Sequence, residues 1–537
     1  MEFEVVIVGG GINGAAIARD AAMRGLRVLL LERDDFASGA SGKNGRMIHG
    51  GLRYLEQFEV GLVREALAER ATLLRIAPHL VERRDLIIPV RAGVGRPGWM
   101  VRLGLLALDL LSPRSTVRHR YIDKAETLRR VPSLQAEGLQ GAAVMFDAFA
   151  QYAERLTLEN IIDAVAHGAV VRNHAPARRL SVVNDRVVGV VYTNDAGEEC
   201  EARAPVVVNA AGAWADEFLQ AATGRSASLL GPAKGTFIVI AAFEGAPDGS
   251  VFFEASEDRR PIIVTPWNGL YLVGTTDERV VGPIDNVRAS LSEIDYLLAE
   301  LTHVFPAFKG TAEDVLYTYT GVRPLPRAAG VSAKVPRRHI IHDHAPAISG
   351  LLSILGGKLS TFRSLAEEAV DLIVRKSGKP GIACRTATTP LPGAAPLASD
   401  RQTQDLFLDR RSHARLEALY GSRADLVLSL ARQDHALAHV IDAETGAIGA
   451  EIVFAVREEW ASTFEDILVR RTMIGRNSSL GANALDRVAE ITADQLGWSP
   501  GRIGQNRESY QRYIELSRGI PQSSGLSAPC AITMGTA

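Results

Sequence analysis

The chain is poor in cysteine, with only Cys200, Cys384 and Cys530 in 537 residues. They lie far apart, with no CxxC pair and no Cys/His ligand spacing. That excludes a disulfide framework, a structural zinc and an iron–sulfur cluster, and fits a reducing compartment. No charge of one sign dominates: 60 Lys+Arg stand against 62 Asp+Glu, a formal net charge of −2. A protein-wide basic field for nucleic acid is thereby excluded, although a local basic pocket is not. No apolar run reaches the roughly 18 residues needed to span a bilayer. Met1-Glu2-Phe3-Glu4 leads straight into a strand, so no signal peptide is expected. What is present is ordinary for a globular protein: 47% hydrophobic and 23% charged residues. The length allows about three domains with large cores.

Residues 3–8 read as a buried parallel strand, short, β-branched and ended by glycines. A helix follows from Ala15 to Arg24, and a second strand from Arg27 to Leu31, which completes a βαβ unit. The stretch Ser38 to Gly51 is rich in glycine and serine and too polar for core. Helical spacing marks residues 59–76, the strongly apolar 99–111, and 154–166. Short strands are expected around 179–182 and 187–192, a buried one at Pro205 to Asn209, and antiparallel strands across 236–290. Gly350 to Leu355 is a further apolar strand, with a helix from Thr361 to Lys376. A Gly/Pro/Thr/Ala-rich linker fills 377–400, almost purely helical periodicity runs from 402 to about 517, and a disordered tail closes the chain.

The first chemical motif is Gly9-x-Gly11-x-x-Gly14 between strand and helix. The first glycine permits a tight turn and the second lets the backbone approach a pyrophosphate. The third lets the helix pack close, so that its N-terminus faces the phosphate charge. Glu32 ends the next strand 18 residues after Gly14. A carboxylate there accepts a ribose 2′-hydroxyl and repels a 2′-phosphate, which selects FAD or NAD over NADP. Two later strand ends are also glycine-rich, Asn209-Ala210-Ala211-Gly212-Ala213-Trp214 and Gly356-Gly357-Lys358-Leu359-Ser360-Thr361. Bare backbone at three strand ends fits one long ligand lying across the sheet, and FAD has that length. Arg53, Arg323 and Lys358 adjoin glycines or strand ends in otherwise small or apolar stretches, where a cation is costly without an anion. A guanidinium fork and a lysine point charge suit phosphate oxygens. An arginine paired with a core carboxylate has the same sequence pattern.

Ile48-His49-Gly50-Gly51-Leu52-Arg53-Tyr54-Leu55-Glu56 resembles the signature of the FAD-dependent glycerol-3-phosphate dehydrogenases. So do Thr320-Gly321-Val322-Arg323-Pro324-Leu325, Gly356 to Arg363, Gly274-Thr275-Thr276-Asp277, Pro266-Trp267 and Arg470-Arg471-Thr472. The resemblance covers the chain to about residue 500. It implies an α/β plus α+β fold: an FAD-binding Rossmann-like domain interleaved with an antiparallel substrate domain, then a helical C-terminal domain. The expected division is 1–90, 140–230 and 340–380 for FAD, 91–139 and 231–339 for substrate, 395–517 for the helices and 518–537 for the tail. It also implies oxidation of sn-glycerol 3-phosphate to dihydroxyacetone phosphate by hydride transfer to FAD, with electrons passed to a quinone. Arg53, Tyr54, Thr276, Arg323, Arg337, His339 and Lys358 would surround the substrate. The FAD contacts would be Gly9, Gly11, Asn13, Gly14, Glu32, Arg33, Ser41, Arg46, His49, Gly50, Gly51, Leu52, Ala211, Gly212, Trp214 and Gly356 to Thr361. No metal is expected.

His49 has a pKa range suited to removing the hydroxyl proton. A histidine that bonds the flavin or orients its loop fits equally, and Lys358 or Arg323 could hold the alkoxide, so the base stays open. Three departures from the family pattern stand out: Gly42-Lys43-Asn44-Gly45-Arg46 replaces a Ser/Thr-rich run, Tyr152-Ala153-Glu154-Arg155-Leu156 lacks two aspartates, and Val90 follows Pro89. They point to a larger polyol phosphate, such as a tetritol phosphate, as the alternative substrate. The motifs also fit an oxygen-using oxidase, an amino-acid oxidase on the same broad fold, and a silent FAD-stabilised scaffold. The 99–111 helix, with Arg96 and Arg102, suits a membrane interface or a buried core. The expected setting is the cytoplasm or the cytoplasmic membrane surface, with a homodimer as the assembly.

Overall fold

The computed structural model describes residues 2–51, 59–93, 96–112, 118–224, 227–285, 287–327, 338–378, 381–395 and 408–519. Leu52, Arg53, Tyr54, Arg337, Cys530 and the expected tail from residue 520 lie outside these residues.

One sheet has six strands in the order Ile340–Asp343, Leu351–Leu355, Val207–Asn209, Val5–Val8, Val28–Leu31, Val170–Arg172. All pairs are parallel except the first. Val5–Val8 is buried throughout because both faces are covered. Helices Ile12–Met23, Ala153–Ala166 and Phe362–Ser377 pack on one face. A three-stranded meander, Ala177–Val183, Arg186–Thr193 and Glu199–Arg203, packs Leu180, Val187, Val190 and Ala202 on the other. The register sets Val8 opposite both Leu31 and Asn209, so three strand ends align at Gly9.

The second sheet contains ten strands. Its path runs Glu278–Arg279, Ala233–Ile240, Leu270–Gly274, Pro261–Trp267, Ser250–Glu254, Glu82–Arg91, Leu139–Phe149, Met47–Ile48. Val315–Arg323 and Arg120–Asp123 pair beside it. Here the division expected from sequence needs correction. That division assigns residues 82–90 and 140–149 to the dinucleotide unit, but their strands pair with each other from Glu82↔Phe149 to Arg91↔Leu139 and extend the second sheet. A strand's sheet is chosen by its partner, which local pattern does not encode.

The segment expected as a free linker is also packed in its described part. Leu391 is buried, its N–H donates to Ile76 O at 2.8 Å, and Thr389 O accepts from Arg19 at 2.9 Å. The C-terminal unit is mostly helical, with a short ribbon of Val440–Asp442 and Ala447–Ile448 added. Its core is continuous with the second sheet: Leu416, Phe454, Phe464 and Ile474 share one cluster with Phe237, Trp267, Tyr317 and Tyr319. Helix Gly98–Leu111 buries only Leu105 and Leu108 and leaves Trp99, Leu103 and Leu110 exposed at 65%, 61% and 86%. Among the described residues no helix is long and apolar enough to cross a membrane.

Candidate active site

A cavity of about 730 Å³ follows the carboxyl ends of the first sheet and continues beneath the second. This is the crevice in which open α/β sheets hold ligands. Glu32 and Lys358 lie at opposite sides of it, three strand spacings apart, or about 14 Å. Only a long ligand bridges that span.

At one end Glu32 is buried and accepts the Gly10 N–H at 2.6 Å and the Asp34 N–H at 2.8 Å. Burial pushes its carboxyl above the usual range. Arg33 lies over the Trp214 ring, 5.1 Å from its centre, and the indole donates to Asp285 at 2.7 Å. In the middle, Gly9 has φ +113, and a Cβ there would meet Ala210 O at 2.4 Å. A Cβ on Gly14 would meet Gly9 O at 1.9 Å, so Gly14 packs helix on strand and does not line the cavity. The helix N-terminus points into the cavity, where the Ile12 N–H donates to Ser41 Oγ at 2.8 Å. Asn13 Nδ2 donates to Gly356 O at 3.3 Å and so joins the first motif to the last, while its buried Oδ1 has no hydrogen-bond partner among the described residues. Lys43 lines the cavity, and burial pushes its ammonium below the usual lysine range.

His49, Gly51, Thr276, Asp277, Arg323, Gly357, Lys358 and Leu359 also line the wall. Arg323 donates to Asp277 at 2.9 Å and to Thr275 Oγ1 and Thr276 O at 3.2 Å each. The arginine therefore does pair with a carboxylate, but at the cavity rather than in the core. Thr276 Oγ1 accepts the Thr236 N–H at 2.9 Å and donates to Glu293, which caps helix Leu291–Val304.

Several expected site residues are used otherwise. His339 does not line the cavity, because its Nε2 faces Glu368 Oε2 at 3.0 Å. Arg46 lines it, but its guanidinium is committed to Glu154, at 2.6 and 2.8 Å. Gly50 is a packing glycine whose Cβ would meet Leu67 at 2.5 Å. Ser360 and Thr361 are buried behind the wall at the start of helix Phe362–Ser377. The 152–156 departure is structural too: Glu154 serves Arg46 and Arg476, and Arg155 serves Glu459, all buried. It gives no ground for a longer substrate. Asp147, Arg260 and Phe237 also line the cavity, as does the Asp277 carboxylate, and sequence reasoning gave none of them a site role. For Asp147 a signal existed, an isolated carboxylate in the apolar strand Leu139–Phe149.

The wall suits FAD: a buried carboxylate at Glu32, a helix N-terminus beside Gly9, which has no room for a Cβ, a buried unpartnered amide oxygen, and the cations Lys43, Arg323 and Lys358. A family model described as FAD dependent oxidoreductase matches residues 4–363, and one described as the C-terminal domain of alpha-glycerophosphate oxidase matches 384–503. A glycerol-3-phosphate dehydrogenase of Synechocystis is 39% identical over 96% of both chains. A D-erythritol 1-phosphate dehydrogenase of Brucella abortus is 34% identical over 87% of this chain and 94% of its own. The crystal structure of a Bacillus halodurans glycerol-3-phosphate dehydrogenase complexed with FAD superposes with a TM-score of 0.78 at 28% identity, covering 97% of this chain and 96% of that one. Fold and cavity define an FAD-dependent oxidoreductase. The chain belongs to the FAD-dependent glycerol-3-phosphate dehydrogenase family.

Proposed function

We propose that the protein oxidises the secondary alcohol of a polyol phosphate, sn-glycerol 3-phosphate before others, to the ketone, with a quinone as final acceptor. The observation that carries this reading is that His49, Arg323 and Lys358 line the same cavity as Glu32 and the glycine-rich strand ends. Bound FAD supplies the hydride acceptor. The protein supplies charge and orientation. Arg323, braced by Asp277 and Thr275, sets a positive charge on the cavity wall that would attract phosphate or the forming alkoxide oxygen. Lys358 adds a point charge, and His49 takes the hydroxyl proton. By the family resemblance alone, Arg53, Tyr54 and Arg337 are assigned to substrate binding as well. In this reading the first sheet holds FAD, the second sheet forms the substrate wall, and the helical unit covers both.

The name of the Brucella relative keeps a tetritol phosphate as the second reading. For the acceptor, the support is helix Gly98–Leu111. Its exposed Trp99, Leu103 and Leu110 beside the exposed Arg102 suit a headgroup layer, from which a lipophilic quinone is within reach. The decisive experiment is anaerobic titration of the holoenzyme with sn-glycerol 3-phosphate and, separately, D-erythritol 1-phosphate, following the oxidised flavin band. Bleaching by the first at low concentration is expected. Bleaching by the second alone moves the assignment to tetritol phosphates. Bleaching by neither, in a protein that dithionite reduces, ends the polyol phosphate reading.

A further inference from the structure

The cavity wall from Ser38 to Gly45 is held by its own turn hydrogen bonds, by the Ile12 N–H, and by a set of buried side chains that reach it from the C-terminal unit and the second sheet. Ser38, Gly39, Ala40, Ser41, Lys43, Asn44 and Gly45 face the cavity. The stretch begins and ends at non-glycine residues in the left-handed region, Ala37 at φ 62 and Arg46 at φ 59. Such conformations persist only where the surroundings over-determine them, and they gather at ligand clamps. Three arginines of the C-terminal unit do much of the determining. Just before the stretch, Asp35 receives Arg470 Nε at 2.5 Å and both terminal nitrogens of Arg471 at 2.8 Å. At its far end, Arg476 Nη2 donates to Gly42 O at 3.3 Å and to Glu154 Oε1 at 3.0 Å. Glu154 in turn grips Arg46 with both oxygens, and the Arg46 guanidinium lies 4.3 Å from the centre of the Trp267 ring. Tyr319 adds a hydrogen bond to Asn44 O at 2.9 Å, and Tyr317 holds Arg476 O at 2.8 Å. All these charged groups are buried, so each contact is desolvated and geometrically specific.

We propose that Arg476 and Glu154 are positioning residues for FAD, and that the C-terminal helical unit is the latch that keeps the 38–45 loop closed over the bound dinucleotide. The proposal rests on that loop being part of the FAD seat. Ser41 reaches the helix N-terminus only while the loop is closed, and Lys43 is carried on the same loop. Loss of the latch therefore acts on FAD retention before it acts on the fold.

The test is the rate of FAD release from holoenzyme diluted into flavin-free buffer, read by the rise of free-flavin fluorescence, alongside the unfolding temperature. Arg476→Ala and Glu154→Gln are expected to release FAD roughly tenfold faster than wild type, the effect of one lost charged contact. Arg476→Lys should restore much of the retention, since the ammonium still reaches for Glu154. Glu459→Gln is the control: it loosens the buried Arg155–Glu459 pair elsewhere in the same interface. If it speeds release as much as Arg476→Ala at equal loss of unfolding temperature, interface stability alone is at work and the latch is overturned. The latch also falls if folded Arg476→Ala and Glu154→Gln release FAD at the wild-type rate. Ser41→Val separates the underlying reading. Unchanged release there removes the loop from the FAD seat, whereas faster release there with wild-type rates for the two latch variants removes the latch alone. Should Arg476→Ala fail to fold, Arg476→Gln and Glu154→Gln carry the same comparison, with Arg476→Lys as the retaining variant.

Discussion

Arg70 and Asp147 form a buried ion pair at 2.6 Å, and the same Asp147 oxygen accepts the Gly50 N–H at 3.0 Å. Helix Val60–Ile76 supplies the arginine and the second sheet the carboxylate. Between them they pin the turn that presents His49 to the cavity. Burial raises the Asp147 carboxyl, and Arg70 with the Gly50 amide opposes that shift.

Replacement Asp147→Ala leaves a guanidinium buried without its partner, a loss of about 3–5 kcal/mol. Chemical denaturation should show it as a lower midpoint. Asp147→Asn keeps a hydrogen-bond acceptor, so its stability loss should be smaller, while kcat/KM falls because the His49 turn loosens. Equal stability in wild type and Asp147→Ala would mean that Arg70 finds another acceptor.

Arg323 is braced at 2.9 Å by Asp277 and at 3.2 Å by Thr275. Arg323→Lys keeps the charge but cannot span both contacts, so the cation is no longer held where Asp277 and Thr275 fix it. Steady-state kinetics should show kcat/KM for the polyol phosphate lower by about 10–100-fold, the worth of one charged hydrogen bond. An unchanged kcat/KM would place the phosphate elsewhere in the cavity.

His344 is held neutral. Burial, reinforced by His342 across a 4.5 Å ring contact, lowers its pKa from 6.5 to about 4. Above the unfolded value both states are neutral and the residue adds no pH dependence. As pH falls from 6.5 towards about 4 the unfolded chain takes up the proton first, so stability is lost through that window and no further below it. Thermal melts across the window should show this loss in wild type and less of it in His344→Gln. Identical pH profiles for the two would contradict it.

Helix Gly98–Leu111 should carry any membrane affinity. Leu103→Glu with Leu110→Glu changes only exposed positions, so stability should stay within about 0.5 kcal/mol. Co-sedimentation with anionic phospholipid vesicles should fall sharply in the double variant. Undiminished sedimentation would assign the attachment to another surface.

The dinucleotide site was legible because its requirements are local. Gly9 must bend at φ +113 against Ala210, and Gly356 and Gly357 adopt φ +75 and +96 at a strand end. No side chain tolerates those positions well, so glycine spacing marks them in any sequence. Glu32 follows because one strand must end beside another. His339 misled for the opposite reason: a motif places it near the site along the chain, but its ring is turned by Glu368, one helix away. Strands Glu82–Arg91 and Leu139–Phe149 misled because alternation names a strand without naming its sheet.

By itself the sequence determined the βαβ core, the three glycine-rich strand ends, the cofactor class and two cations, Arg323 and Lys358, that line the cavity. These depend on backbone conformations and residue types that recur every few positions. Only the tertiary structure decided which of the buried charges face the cavity and which hold the frame. Arg46, Glu154 and Arg476 meet from positions more than 100 and 300 residues apart. A buried charge is tolerated only beside its counter-charge, and that neighbour is chosen by the packing of whole units rather than by spacing along the chain.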